Sequence, residues 1–208
     1  MNALYDESRI DGLIFDWDGT LVDSMPIHYE AYRLTFQEFG LELTQDHFYA
    51  RIGGKASETI PRMLGAQKAP CSIMELHARK KCLVNDLLRS LPLPVLGTAV
   101  LMKAFVGKFK MAMASTGSRE GIEIMLARLQ WTGYFSAVVT GEDVIHGKPD
   151  PDCFLLAAKK IDVIPSKCLV FEDTDAGVEA ARRAGMMVFD VRTTVPERFI
   201  NVRYRFSA

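Results

Sequence analysis

Phe15-Asp16-Trp17-Asp18-Gly19-Thr20 is the stretch on which the reading of this chain turns. It closes a short apolar run, Leu13-Ile14-Phe15, and a buried strand is predicted over Ile10 to Phe15. Two carboxylates, Asp16 and Asp18, stand where that strand ends. In an open α/β sheet, ligands bind at the carboxyl ends of strands. Residues two apart in an extended chain point the same way, so both acids can face one ligand. Gly19 then permits a turn that a Cβ would resist. Acids this close repel, and one pKa rises strongly unless a cation is shared. A hard divalent metal is the natural partner. An acidic surface turn is the plain alternative. A calcium loop of the EF-hand type is excluded, because its Gly and Glu positions hold Leu21 and Ile27.

The chain around this stretch has 208 residues, enough for one mid-sized domain or for a core with an inserted subdomain. Hydrophobic residues make up 49% and charged residues 25%, the mixture of a globular protein with a real core. The 25 Lys+Arg against 26 Asp+Glu leave a formal net charge of -1. That balance gives no general attraction to nucleic acid or to an anionic membrane. A small anion would need a local positive site. Cys71, Cys82, Cys153 and Cys168 are dispersed and form no Cys-x-x-Cys pair, so buried free thiols in a reducing compartment are expected. The acidic N-terminus does not read as a secretory signal, and no apolar run is long enough to span a membrane. A cytoplasmic location and a monomer follow as expectations.

Helical patterns fill the next stretch without an intervening strand. They cover His28 to Phe39, a short segment capped by Thr44 or Asp46, Ser57 to Leu64, and Ser72 to Leu91. Pro92-Leu93-Pro94 stops the last of them. Strands then alternate with helices. The predicted strands are Lys110–Ala114, 137–139, 168–171 and 187–191. The predicted helices are 98–105, 119–129, 152–160 and 175–184. This alternation predicts an α/β fold, with a Rossmann-like parallel-sheet core and right-handed crossovers. Residues 1–24 and 93–208 form that core domain, and 25–92 an inserted α-helical cap domain. The basic tail from Pro196 to Ala208 is unassigned.

If the sheet is right, reactive groups should recur at strand ends. Ser115-Thr116-Gly117-Ser118 follows one strand and opens a helix, where hydroxyls and free N–H groups bind phosphate; ordinary N-capping is the alternative. Counting along the strand favours Ser115 as the side-chain ligand, with Thr116 supplying its backbone N–H. Lys148, in His146-Gly147-Lys148-Pro149, can neutralise a phosphate, or can be a solvated lysine in a turn. A P-loop is excluded: the Gly141 to Gly147 spacing is one residue too long, and Pro149 stands where Ser or Thr is required. Glu172 and Asp173 end a further strand and can complete a metal site with Asp16, while Asp175 can cap the next helix.

Taken in order, the acid pair, the Ser/Thr, the Lys before Pro and the late acid pair resemble the haloacid dehalogenase-like hydrolase superfamily from Ile10 to about Arg192. The helical insert resembles the cap of its β-phosphoglucomutase-like branch, and within that branch the chain is similar to bacterial fructose-1-phosphate phosphatases. His28 falls where the branch has a hinge histidine, and Gly53-Gly54-Lys55 resembles its substrate loop. Lys55 or Ser57 stands where the mutases place an arginine. The resemblance implies a Mg²⁺-dependent phosphatase acting on a small phosphate ester, with a β-phosphoglucomutase-type activity as the alternative. It implies Asp16 as nucleophile and Asp18 as general acid and base, and neighbouring negative charge with partial burial is expected to favour the neutral form of Asp18. Ser115, Thr116 and Lys148 would hold the phosphate, and His28, Gly54 and Lys55 would contribute specificity. Asp16, Asp18, Glu172 and Asp173 would form the metal site, Asp18 through its main-chain carbonyl. A response-regulator receiver shares the strand-end Asp and Lys, but does not explain the helical insert. A dehalogenase would need neither metal nor Asp18.

Overall fold

The computed structural model describes residues 10–53 and 56–193. Its strands are β1 (Gly12–Phe15), β2 (Lys110–Ala114), β3 (Ala137–Val139), β4 (Cys168–Glu172) and β5 (Met187–Asp190). They form one sheet in the order β3-β2-β1-β4-β5, with every neighbouring pair parallel. β1 is central, pairing with β2 on one side and β4 on the other. A strand covered on both faces has no solvent side, so its sequence is apolar throughout. Its side chains still alternate between two cores. Leu13 and Phe15 join Met111, Met113, Leu169 and Phe171 on one face. Ile14 joins Ala112, Ala114 and Val170 on the other.

Parallel neighbours cannot be joined by hairpins and need crossover connections. These are provided by α6 (Arg119–Leu129), α7 (Asp152–Lys160) and α8 (Asp175–Arg183). Ala157, Ala158, Ala180 and Ala181 are buried on the second face of the sheet, where small side chains let α7 and α8 lie close. Between β1 and β2 come α1 (Met25–Glu38), α2 (Gln45–Tyr49), α3 (Ala56–Leu64), α4 (Ile73–Ser90) and α5 (Thr98–Phe105). Tyr32, Phe36, Phe48, Ile60, Met63 and Leu76 form a third, separate core that draws on no strand. A capping box between Ser72 and Glu75 starts α4. This helix has 18 residues, about 27 Å at 1.5 Å per residue. Leu76 at its start belongs to the third core, while Val84 and Leu88 belong to the sheet's core.

Several local expectations change. α1 starts at Met25 rather than His28, because Pro26 in the first turn has no N–H that the helix needs. α2 is capped by Thr44, which accepts from His47 N at 3.2 Å. α8 is capped by Thr174 rather than Asp175, with Gly177 N donating to the threonine hydroxyl at 3.0 Å. Cys153 and Cys168 are buried, but Cys82 is exposed and Cys71 only half-buried. Among the described residues, no helix is long and apolar enough to cross a membrane. Gly54, Lys55 and the 196–208 tail lie outside the described residues.

Candidate active site

The chain leaves β1 for β2 and β3 on one side, then crosses back to β4 on the other. This reversal makes the carboxyl end of β1 a topological switch point, where open sheets bind ligands. Asp16 and Asp18 follow β1, Ser115 and Thr116 follow β2, and Glu172 and Asp173 end β4. All six line a single cavity of about 740 Å³, together with Lys148 and with His28 and Lys80 from α1 and α4. The first groups identified in the sequence are therefore brought together. Gly53 reaches the same cavity, its carbonyl accepting from Thr59 Oγ1 at 2.7 Å and from Arg62.

Lys148 Nζ donates to Asp16 Oδ1 at 2.5 Å and to Glu172 Oε2 at 2.7 Å. Burial works against the lysine's charge, but the carboxylates of Asp16 and Glu172 overcome it and hold the ammonium well above its usual range. Burial and then the neighbouring Glu172 push Asp16 well up, against the pull of Lys148. Burial and Glu172 likewise push Asp173 up to about 6. Glu172 goes the other way. Burial opposes its charge, yet Lys148 and Thr174 hold it below the usual carboxylate range. Its Oε1 accepts from Asp173 N, Thr174 N and Thr174 Oγ1. A Cβ on Gly177 would lie 2.0 Å from Glu172 Cδ, so the bare glycine makes room for this side chain at the start of α8.

Carboxylate oxygens of Asp16, Glu172 and Asp173 lie within 4.8 Å of one another. Three carboxylates face one ammonium here, and burial first, then repulsion from Glu172, raises both Asp16 and Asp173. A hard divalent cation suits that donor set and that charge. The side chain of Asp18 stands apart from this cluster. Ser24 Oγ donates to its Oδ1, Ser115 Oγ donates to its Oδ2 at 3.4 Å, and His28 Nε2 lies 3.4 Å from Oδ1. This surrounding corrects one expectation, that neighbouring negative charge and burial would keep Asp18 neutral. Burial does push it up, but hydrogen bonding and charge from His28, with Ser24 and Lys80, outweigh burial and leave the carboxyl below its usual value.

Ser115 is buried and accepts from Gly117 N at 3.0 Å, while Thr116 lines the cavity half-buried. The N-cap of α6 is Ser118, so Ser115 is free of that duty. Lys80 and Ser24 escaped the reading of the sequence. Lys80 Nζ lies 3.3 Å from His28 Nδ1 and 4.7 Å from the Tyr32 ring centroid. A Lys80–His28–Asp18 line thus joins α4, α1 and the loop after β1. Lys80 donates to Nδ1 when His28 carries its proton on Nε2, toward Asp18. Burial pulls the Lys80 ammonium down to about 8, partly offset by Asp18. Lys80 does carry a sequence signal: it lies four residues after Leu76 and four before Val84, a polar residue within α4's buried stripe.

Comparison with known proteins agrees with this geometry. The profile of the haloacid dehalogenase-like hydrolases matches residues 13–191. The chain is 38% identical over 187 residues to fructose-1-phosphate phosphatase YqaB of Escherichia coli (strain K12), covering 88% of this chain and 97% of that protein. It is 36% identical to a phosphorylated carbohydrates phosphatase of Thermotoga maritima, covering 85% and 82% of the two chains. Among solved structures, CbbY from Rhodobacter sphaeroides in complex with phosphate superposes with a TM-score of 0.79 at 27% identity, over 86% of this chain and 84% of that one.

Proposed function

The chain belongs to the haloacid dehalogenase-like hydrolases, and from that premise we propose that it is a Mg²⁺-dependent phosphatase of small phosphorylated sugars, with fructose 1-phosphate the first substrate to test. The observation that carries the proposal is one cavity holding the Asp16–Glu172–Asp173 acids, Lys148 and, set apart from them, Asp18. The relatives named for phosphatase activity on fructose 1-phosphate and on phosphorylated carbohydrates support the substrate class.

Asp16, Asp173 and the Asp18 main-chain carbonyl would hold the metal, beside Glu172. When bound, Mg²⁺ would offset the negative charge of the acids and of the phosphate. Asp16 attacks phosphorus in line, the P–O bond to the sugar breaks, and an aspartyl-phosphate forms. Asp18 gives its proton to the leaving sugar oxygen. It later takes one from the water that releases phosphate. In the free protein Asp18 is held as a carboxylate, so it must gain a proton with the substrate. A phosphate dianion arriving beside it raises its pKa in the required direction. Ser115, the Thr116 N–H and Lys148 stabilise the equatorial phosphoryl oxygens. Residues 25–92 act as the cap that shields the first step from water. His28 and the Gly53-Gly54-Lys55 segment of that cap, with Lys80, read the sugar.

The test is phosphate release from a panel of phosphate monoesters with Mg²⁺ present. Turnover of phosphohexoses without any added bisphosphate supports a phosphatase. Isomerised sugar phosphate and a strict bisphosphate requirement would make it a mutase instead.

Two titrations follow. Burial and Glu172 raise the Asp173 carboxyl to about 6, above the 3.8 of an unperturbed Asp, so the metal-free fold loses stability as pH rises across that window. Asp173 would hold Mg²⁺ as the ionised carboxylate, so the stabilisation from added Mg²⁺ should be fullest above about pH 6 and fade below. The rise in melting temperature on adding MgCl₂ should be clearly larger near pH 7.5 than near pH 5, both chosen as approximate settings either side of this pKa. An equal rise at both would contradict the assignment of Asp173. Lys80 loses its charge as pH rises through about 8. The pH profile of kcat/KM should therefore fall above about pH 8, and that limb should vanish in Lys80→Met. A falling limb unchanged in Lys80→Met would remove Lys80 from the substrate site.

A further inference from the structure

Thr20 is fully buried, and its hydroxyl donates to Asp173 Oδ1 at 2.9 Å across 153 residues of chain. A threonine in a turn ordinarily spends its hydroxyl on nearby backbone. Here it reaches instead to the end of β4. The residue before it seats the other oxygen. Gly19 has φ +88, and a Cβ built on it would lie 2.2 Å from Asp173 Oδ2. One carboxylate oxygen is therefore held by Thr20, and the other packs on the bare Cα of Gly19. Lys148 does not do this work, since its ion pairs go to Asp16 and Glu172. Among the described residues, no lysine or arginine forms an ion pair with Asp173.

We propose that Thr20 is a positioning residue for the metal site: its hydroxyl fixes the Asp173 carboxylate in the orientation that receives the divalent cation. The inference rests on the reading of Asp173 as a metal ligand given above. Thr20 is buried behind the cavity and does not line it, so its effect is on metal affinity. Hydrogen bonds to metal-ligating side chains set their orientation, and losing one commonly weakens metal binding about 10–100-fold. Valine has the same shape without the donor, whereas serine keeps the donor without the methyl group.

The experiment is calorimetric titration of the metal-free, full-length protein with MgCl₂, for the wild type, Thr20→Val and Thr20→Ser. Thr20→Val should weaken Mg²⁺ binding about 10–100-fold, and Thr20→Ser should stay close to the wild type. In turnover assays Thr20→Val should need correspondingly more Mg²⁺ for half-maximal rate and recover most of its kcat at saturation. Circular dichroism and melting temperature check the fold. Should Thr20→Val not fold, Thr20→Ala removes the same hydroxyl without added bulk and is read the same way. Wild-type affinity in the variant lacking the hydroxyl would overturn the inference, as would an equal loss in Thr20→Ser. A wild-type protein that binds no Mg²⁺ at all would instead overturn the metal reading beneath it.

Discussion

Asp16→Asn removes turnover of the phosphate ester, by about 10⁴-fold or more, and leaves the fold intact. The first half follows from chemistry: an amide is not a nucleophile toward phosphorus, and groups acting as a unit lose nearly everything when one is removed. The second half follows from the surroundings. Asn is close in shape to Asp and still offers an oxygen to Lys148, which keeps Glu172 as its counter-ion. The substitution also removes a buried carboxyl whose charged form is opposed by burial and by Glu172. Circular dichroism, melting temperature and phosphate release together check the prediction. Turnover near that of the wild type would remove Asp16 as nucleophile.

Asp18→Ala produces the second large loss, and its size should depend on the leaving group. A sugar alkoxide is a poor leaving group without a proton, and a positioned general acid contributes about 10²–10⁴-fold. Para-nitrophenolate leaves readily without one. The loss should therefore approach that full range on a sugar phosphate and be much smaller on para-nitrophenyl phosphate. Equal losses on the two substrates would mean that Asp18 shapes the site rather than moving a proton. The distinction matters because Asp18 is held as a carboxylate by His28, Ser24 and Lys80 in the free protein.

Much of this was legible in the sequence because the sheet imposes its own grammar. Leu13-Ile14-Phe15, Met111-Ala112-Met113 and Leu169-Val170-Phe171 are buried on both faces, so each shows as an unbroken apolar run. The groups just past those runs, Asp16, Ser115 and Asp173, come to the switch point by topology alone. Lys148 needed its place before Pro149 to stand out. Side-chain partners were harder, because they depend on contacts across long separations. Nothing near Thr20 announces Asp173, and nothing near Lys80 announces His28, 52 residues away. The charge state of Asp18 was misjudged for the same reason. Distance along the chain puts Asp16 beside it, whereas folding surrounds it with Ser24, Ser115 and His28 of α1, and with the charge of Lys80 on α4. Competition among neighbouring caps, Thr174 over Asp175, is likewise decided by backbone angles that a sequence does not print.

The most direct measurement strips the protein of metal with a chelator, removes the chelator and follows phosphate release from the best sugar phosphate as MgCl₂ is added back. The account predicts no measurable turnover without metal and full recovery with it, because it proposes that Asp16 and Asp173 share one divalent ion. Turnover that is the same with and without metal would contradict it.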